Sequence, residues 1–286
     1  MLKYFPLLLL FFCWSCGGDT ASKGADDQVD MPTSNTTTST KAATERIESP
    51  EQMQVIAKHI MDTQKRIFNM EKEQSLSYTI GDNVFNYELY REENGDTLAI
   101  VNNGSLGKYR ELDRYIIYQN NRPTGMLVDR LQRDATQQMF SQIMTFYNSK
   151  GTLQPTAMVR NEQRKADMLA KQFIPKDIAE VHNVYKFVDE FKQGMEHRDN
   201  FTLYFDEFLT EEGRSFLRFK AALEPSDTRY YVTAVRLPEN FQDDATLARI
   251  EKNAALYKDK KVQLKWETIK TKSGQRIPQW VSGTFE

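Results

Sequence analysis

Three times in its central part, the chain repeats an alternating apolar and polar run, a turn rich in Asn or Gly, and a second alternating run. The clearest copy places residues 84–90 and 97–101 on either side of Asn94-Gly95. Apolar residues at every second position predict strands buried on one face, and Asn-Gly between such runs predicts a hairpin. With the copies at 109–131 and 138–160, the pattern predicts an antiparallel β-meander.

The segment before the meander predicts a helix that covers one face of this sheet, because a lone sheet must bury one face. Ser49 and Pro50 are typical of an N-cap and of the first helical position. Apolar residues then recur every three or four positions through 51–73, as in an amphipathic helix. They are Met53, Ile56, Ile60, Ile67 and Met70.

The helical period returns after the meander. The segment 164–173 is followed by a break at Ile174-Pro175, and residues 176–193 then carry a broad apolar stripe. A stripe of that width predicts a helix that packs between two sheet regions. We interpret 161–195 as a helical connector, with Gly194 as the C-cap of its second helix.

The C-terminal part of the chain predicts three strands, a helix that begins after Asp243-Asp244, and two more strands. The predicted strands span 201–209, 215–223, 229–237, 261–270 and 279–285. Their order resembles the OB-fold, a small five-stranded Greek-key barrel. Residues 260–266 resemble the fourth strand of OB-like domains in bacterial lipoproteins. An unrelated α+β sheet with one packed helix is the alternative.

The N-terminal segment has the composition of a targeting signal. One lysine precedes a short apolar run that ends at Trp14, well below the roughly 20 residues that span a bilayer. Ser15-Cys16 follows, and both cysteines of the chain, Cys13 and Cys16, lie here. A small residue before a cysteine resembles the lipobox of bacterial lipoproteins, although Cys13 and Trp14 depart from the residues usual at their positions.

The resemblance implies that residues 1–15 are removed as a signal peptide and that acyl chains, palmitate among them, are attached to Cys16. We therefore expect a membrane contact through the lipid anchor. The expected location is the bacterial cell envelope, at the outer membrane, facing the periplasm or the exterior. An ordinary secretory signal and a short N-terminal anchor are the alternatives.

The predicted fold class is α+β: an N-terminal helix packed on an antiparallel β-meander, a helical connector and a C-terminal OB-like barrel. The signal peptide spans 1–15, and the lipidated cysteine with a disordered tether spans 16–48, where Gly, Ser, Thr and Asp dominate. The body divides into 49–160 for helix and meander, 161–195 for the connector and 196–286 for the barrel. The hydrophobic content of 40% supports real cores.

The sequence predicts no metal or cofactor site and no nucleic-acid partner. His59, His182 and His197 belong to no metal-binding spacing, and the chain has no nucleophile-elbow or phosphate-loop motif. Adjacent carboxylates such as Asp206-Glu207 and Asp243-Asp244 are explained by strand alternation and by helix capping. A formal net charge of -2 gives no overall field that attracts nucleic acid.

Binding is the activity that the C-terminal pattern favours, since OB-folds bind ligands on strands 2 and 3 and on two loops. In this chain the candidates are Arg218, Lys220 and Tyr230, with loops near 210–214 and 270–276. Further aromatic residues either stack on a ligand or are buried against the connector, and burial is favoured. They are Tyr204, Phe216 and Trp280.

The hypothesis is a non-enzymatic binding or interaction module for an envelope protein or glycan. One alternative is an envelope-polymer hydrolase that gathers carboxylates from distant segments. Another is a structural subunit of an envelope assembly.

Overall fold

The computed structural model describes residues 50–106, 110–133, 137–148, 150–151, 153–154, 156–168, 170–177, 183–221, 230–271 and 273–286. The predicted signal peptide, Cys16, the tether and Ser49 lie outside the described residues.

Four α-helices lie within the described residues: α1 (Pro50–Ile67), α2 (Lys165–Met168), α3 (Val184–Glu196) and α4 (Ala245–Tyr257). None of the helices in this part of the chain is long and apolar enough to cross a membrane.

The fold is mixed α+β with β-structure predominant. The strands of the described residues are β1 (Glu73–Gln74), β2 (Tyr78–Ile80), β3 (Asn83–Arg91), β4 (Thr97–Leu106), β5 (Arg110–Gln119), β6 (Arg122–Arg133), β7 (Gln138–Phe146), β8 (Thr156–Glu162), β9 (Ile174–Asp177), β10 (Leu203–Glu211), β11 (Arg214–Ala221), β12 (Tyr231–Arg236), β13 (Lys261–Lys270) and β14 (Arg276–Phe285).

Strands β2 to β9 pair in chain order, each antiparallel to the next, as the alternating pattern predicts. Several turns of the meander have a left-handed backbone. Gly95 has a φ of 87°, and Asn120 and Asn121 have φ values of 53° and 57°. Positive φ at both central residues is what a two-residue type I′ hairpin requires, so Asn120-Asn121 fix the register of β5 against β6.

The meander buries both of its faces. Alternate residues point to opposite sides of a strand, so Ala99 and Ile117 enter one core while Ile100 and Ile116 enter the other. The first core lies under α1, with Ile60 fully buried. The second core receives the apolar residues of α3, which are Val184, Val188 and Phe191. The sheet is therefore covered by a helix on each side.

Strands β10 to β14 close into a five-stranded barrel. Their order is β11-β10-β13-β14-β12, and pairing between β11 and β12 completes the ring. β12 and β14 are parallel, and α4 connects β12 to β13. The Asp244 carboxylate caps α4 by accepting from the N–H groups of Thr246 and Leu247, which confirms the predicted helix start.

The barrel and the meander join through one edge of β12. Val232 pairs with Thr79 of β2, so the strands form a continuous 14-stranded sheet. Aromatic rings fill the junction: Phe201 stacks on Tyr231 with centroids 5.2 Å apart, and Tyr78 lies 4.8 Å from Phe201. All described residues belong to one compact unit.

The first helix is shorter than predicted. α1 ends at Ile67 rather than near residue 73, and Glu73 begins β1, which pairs with β3. Lys72 forms an ion pair with the buried Glu88 of β3. These contacts with the sheet replace a further turn of helix, and local periodicity does not reveal them.

The connector is less helical than predicted. Ile174–Asp177 form β9, at the edge of the sheet beside β8, although 176 and 177 were expected in a helix. Pro175 lacks a backbone N–H, which an edge strand tolerates and a helix interior does not. α3 begins only at Val184, capped by Asn183.

Gly194 is not the C-cap of the connector helix. α3 continues to Glu196, and His197 is the C-cap, with a left-handed φ of 52°. Gly194 is instead buried where the helix meets the ring of Tyr87, and a Cβ atom there would overlap that ring. The glycine is required for close packing and not for the helix end.

Candidate functional site

The predicted binding residues Arg218 and Lys220 lie on β11, two positions apart and therefore on one face. Leu217 and Phe219 alternate with them and are fully buried in the barrel core, so Arg218 and Lys220 face outward. Tyr230 lies just before β12, and the Lys220 Nζ atom is 5.5 Å from the centroid of its ring. The structure thus brings Lys220 and Tyr230 together and places Arg218 on the same face.

Carboxylates already neutralise both of these cations. The guanidinium of Arg218 contacts Asp206 at 2.7 Å and Glu207 at 2.5 Å. The Nζ atom of Lys220 lies 2.5 Å from Asp259, and the lysine side chain is 9% exposed. Arg218 and Lys220 therefore stabilise the barrel wall, which leaves less of their charge for a ligand.

The burial favoured for Trp280 is confirmed, although strand alternation alone places this residue on the face opposite the barrel core. It is 3% exposed within the core that the barrel shares with α3. The register of β13 against β14 shifts between Lys265 and Trp266, and Trp266 then pairs with Trp280. A bulge of this kind re-aims side chains, and alternation alone does not predict it. Tyr204 and Phe216 are half-buried.

The two loops predicted to bind a ligand converge at one end of the barrel. A cleft of about 640 Å³ lies there, with Phe241 on its wall. It is lined by residues 212–215 and 236–239 and by Ile269, Lys270, Thr271, Ser273 and Gln275. Among the described residues, three cations line this cleft: Arg214, Arg236 and Lys270. Lys220 and Tyr230 lie at the other end of β11, so the predicted loops and these predicted residues do not form one site.

Arg236 is the residue of this cleft that the sequence did not single out. Its side chain is 15% exposed, and its ion-pair partner among the described residues is Glu239, 3.7 Å away and 95% exposed. It pairs with Phe216 of β11 and with Gln279 of β14, where the barrel closes. Its outward position in β12 was readable from alternation, but its place in the cleft depends on loops distant in sequence.

A second polar site lies on the α1 side of the meander. The carboxylate of Asp129 accepts hydrogen bonds from Gln64 of α1 at 2.8 Å and from Gln142 of β7 at 2.6 Å. The Gln142 carbonyl in turn accepts from the Arg160 Nε at 2.7 Å. Burial raises the pKa of the Asp129 carboxyl, and the two amide hydrogen bonds oppose that shift.

Asp129 lines a small cavity together with Asp113, its direct partner across β5 and β6. The cavity has a volume of about 70 Å³, and Lys165 and Met168 of α2 cover it. Ligand pockets commonly measure roughly 300–1,000 Å³, so this space suits a few waters better than a sugar ring.

No group of three or more His, Cys, Asp or Glu side chains gathers for a metal ion within the described ranges. Of the histidines considered above, His182 lies outside those ranges. His59 contacts the Tyr118 carbonyl at 3.2 Å, and His197 contacts the Tyr78 hydroxyl at 2.8 Å.

Comparisons with protein-family models, with curated proteins and with solved structures found no match to this chain.

Proposed function

We propose that this protein is a lipid-anchored lipoprotein of the bacterial cell envelope, and that its barrel binds an envelope glycan or protein without chemical change. The observation that supports binding is the cleft of about 640 Å³ at the barrel end. Its size falls within the usual range of ligand pockets, and polar groups from two separate hairpins converge in it.

We infer that the barrel is an OB-like domain. Its first three strands are consecutive, a helix separates the third from the fourth, and the fifth lies between the third and the fourth in the ring. OB-folds bind ligands at the loop between strands 1 and 2 and at the loop between strands 4 and 5. Here the first loop is 212–213, and the described residues Thr271, Ser273 and Gln275 belong to the second; both sets line the cleft.

A cleft-filling variant tests the binding proposal. The exposed Gln275 lines the cleft, and the exposed Ser282 lies on the same strand pair outside it. We expect Gln275→Trp to abolish binding to an array of purified envelope polysaccharides, because the indole occupies the cleft, whereas Ser282→Trp binds like the wild type. Equal binding by both variants would refute the cleft as the site.

The lipid anchor has its own test, with a matched cysteine control. We expect the full chain to incorporate labelled palmitate and to sediment with membranes. Cys16→Ser should lose both properties, because its hydroxyl replaces the acceptor thiol, while Cys13→Ser should keep them. Label on Cys16→Ser, or membrane release of Cys13→Ser alone, would contradict lipidation at Cys16.

The hydrolase alternative rests on one observation, the facing pair Asp113 and Asp129 with the raised pKa of Asp129. A carboxyl group that acts as a general acid near neutral pH needs a raised pKa, so that it still carries its proton. The cavity beside the pair measures only about 70 Å³, however, and Gln64 and Gln142 occupy both oxygens of Asp129. Hydrolysis of an envelope polymer that is lost in Asp129→Asn would revive this alternative.

A further inference from the structure

We propose that the ligand of the barrel cleft is an acidic polysaccharide, and that one of its anionic groups, carboxylate or phosphate, binds the guanidinium of Arg236. The inference rests on the proposed function, because it names the chemical class that the same cleft accepts.

Arg236 lines the cleft and has the properties of an anion-binding residue. Its side chain is 15% exposed, yet its ion pair with Glu239 spans 3.7 Å, beyond hydrogen-bond distance. A largely buried charge is costly unless it is paired and hydrogen-bonded. The planar guanidinium presents five N–H donors that match the two oxygens of a carboxylate or phosphate. An incoming anion would supply the hydrogen bonds that the exposed Glu239 does not.

The rim of the cleft adds positive charge. Arg214 and Lys270 line it, and within the described chain neither side chain makes an ion pair. Glu212 and Glu239 also line the cleft, so among its described residues the three cations exceed the two carboxylates. Excess positive charge over an open cleft attracts anions and becomes weaker as salt rises.

A neighbouring groove suggests a polymer rather than a single small anion. Lys270 lines both the cleft and a second cavity of about 530 Å³, whose other lining residues include Trp266 and Arg276. Trp266 is half-buried, so part of its indole remains available for a sugar ring to stack on. One acid, Glu267, lies among them. Cations that continue from one cavity into the next suit a chain with repeated anionic groups.

The experiment measures affinity of the full-length chain in detergent for three polysaccharides of matched length. Oligogalacturonate supplies carboxylates, phosphodextran supplies phosphates, and dextran is neutral. We expect both acidic polymers to bind and dextran to bind at least tenfold more weakly, with an affinity for the acidic polymers that falls as salt rises. The acidic polymer that binds with the higher affinity identifies the anionic group, carboxylate or phosphate, that the cleft prefers.

Substitutions of single cationic residues identify which side chains bind the acidic polymer. Arg236→Gln should weaken acidic-polymer binding by about tenfold or more, because it removes the charge and the paired hydrogen bonds of the guanidinium. Arg236→Lys should retain more affinity than Arg236→Gln but less than the wild type. The lysine ammonium keeps the charge but lacks the planar guanidinium that binds two oxygens at once. Arg214→Gln and Lys270→Gln should each weaken binding about threefold and flatten its salt dependence. Arg249→Gln, on the exposed side of α4, is the control and should bind like the wild type.

The outcomes separate this inference from the proposed function. If dextran and the acidic polymers bind equally and Gln275→Trp abolishes this binding, the cleft remains the binding site. The claim that its ligand is anionic would then be overturned. Unchanged acidic-polymer affinity in both Arg236 variants would overturn the role of Arg236. Failure of the wild type to bind either acidic polymer would overturn the whole inference. Thermal melting of Arg236→Lys checks that a loss of affinity is not a loss of fold.

Discussion

In the last turns of α3, Gly194 lies against the buried ring of Tyr87. Replacement of a helical glycine by alanine normally stabilises a helix by about 1 kcal/mol. Here the added Cβ would overlap the ring, and overpacking a core costs about 1–3 kcal/mol. We therefore expect Gly194→Ala to lower the free energy of unfolding, measured by urea denaturation.

The control for this prediction is Lys192→Ala, at an exposed position of the same helix. It changes helix propensity without touching the Tyr87 ring and should stay within about 0.5 kcal/mol of the wild type. A Gly194→Ala chain more stable than the wild type would mean that α3 lies farther from the sheet than described.

His197 makes stability depend on pH. Burial lowers its pKa from 6.5 to about 4, because the Nδ1 atom lies against the Tyr78 hydroxyl and away from water. The unfolded chain then binds more protons than the folded chain between pH 6.5 and 4. This histidine's contribution is fully present above pH 6.5 and is lost as the pH falls, up to roughly 3 kcal/mol.

The variant His197→Asn tests this, since asparagine also adopts the left-handed conformation and does not titrate. We expect its stability to change less with pH than that of the wild type between pH 6.5 and 4, in urea denaturation at several pH values. An NMR titration of the folded wild type should give an imidazole pKa near 4. Parallel pH profiles for the two proteins would contradict the assignment.

At the scale of elements, α4 offers adjacent aspartates with different roles. The Asp244 carboxylate accepts from two backbone N–H groups at 2.8 and 3.2 Å. Asp243 is exposed and accepts only from the Asn240 side chain, at 3.3 Å, among the contacts of the described chain. We expect Asp244→Ala to destabilise the protein by about 1 kcal/mol and Asp243→Ala by less than about 0.5 kcal/mol in thermal melts. Equal losses would mean that the cap is not formed.

Elements whose ends are set by neighbouring residues in the sequence were predictable. Elements that form because they pair with a distant strand were not. The hairpin at Asn120-Asn121 follows from residues that tolerate positive φ, and the start of α4 follows from a capping carboxylate. The strand at Ile174–Asp177 exists because β8 offers an edge, and the early end of α1 reflects pairing with β3. No periodicity within either segment contains that information.

At the scale of the whole molecule, the junction of β2 with β12 predicts a single unfolding event. Both tryptophans of the described chain, Trp266 and Trp280, lie on strands of the barrel, so their fluorescence reports chiefly on the barrel. Far-UV circular dichroism reports the meander as well. We expect the two signals to change at the same urea concentration, because one core spans both parts.

A junction variant makes this prediction sharper. Phe201→Ala removes a buried ring between Tyr78 and Tyr231 and should destabilise both signals together, by about 3–5 kcal/mol. If Phe201→Ala shifted the dichroism midpoint but left the fluorescence midpoint unchanged, the barrel would be shown to fold on its own. The boundaries at 160/161 and 195/196 stay predictions until such data exist.

The candidate site was only partly predictable, for a related reason. The loop positions near 210–214 and 270–276 followed from the order of the strands, and the structure brings both loops to one cleft. Arg218 and Lys220 were correctly placed on one face, but their partners Asp206 and Asp259 were not foreseen. Charge on a strand predicts a binding residue only when no carboxylate from another element neutralises it.

Strand β12 has two neighbours along one edge, β14 beside Arg236 and β2 beside Val232. An unpaired strand edge is a template on which another chain can add a strand. β2 occupies the part of the edge that barrel closure leaves open, so the meander shields the barrel from self-association. A barrel cut away from the meander would expose this part of the edge and would tend to aggregate edge to edge.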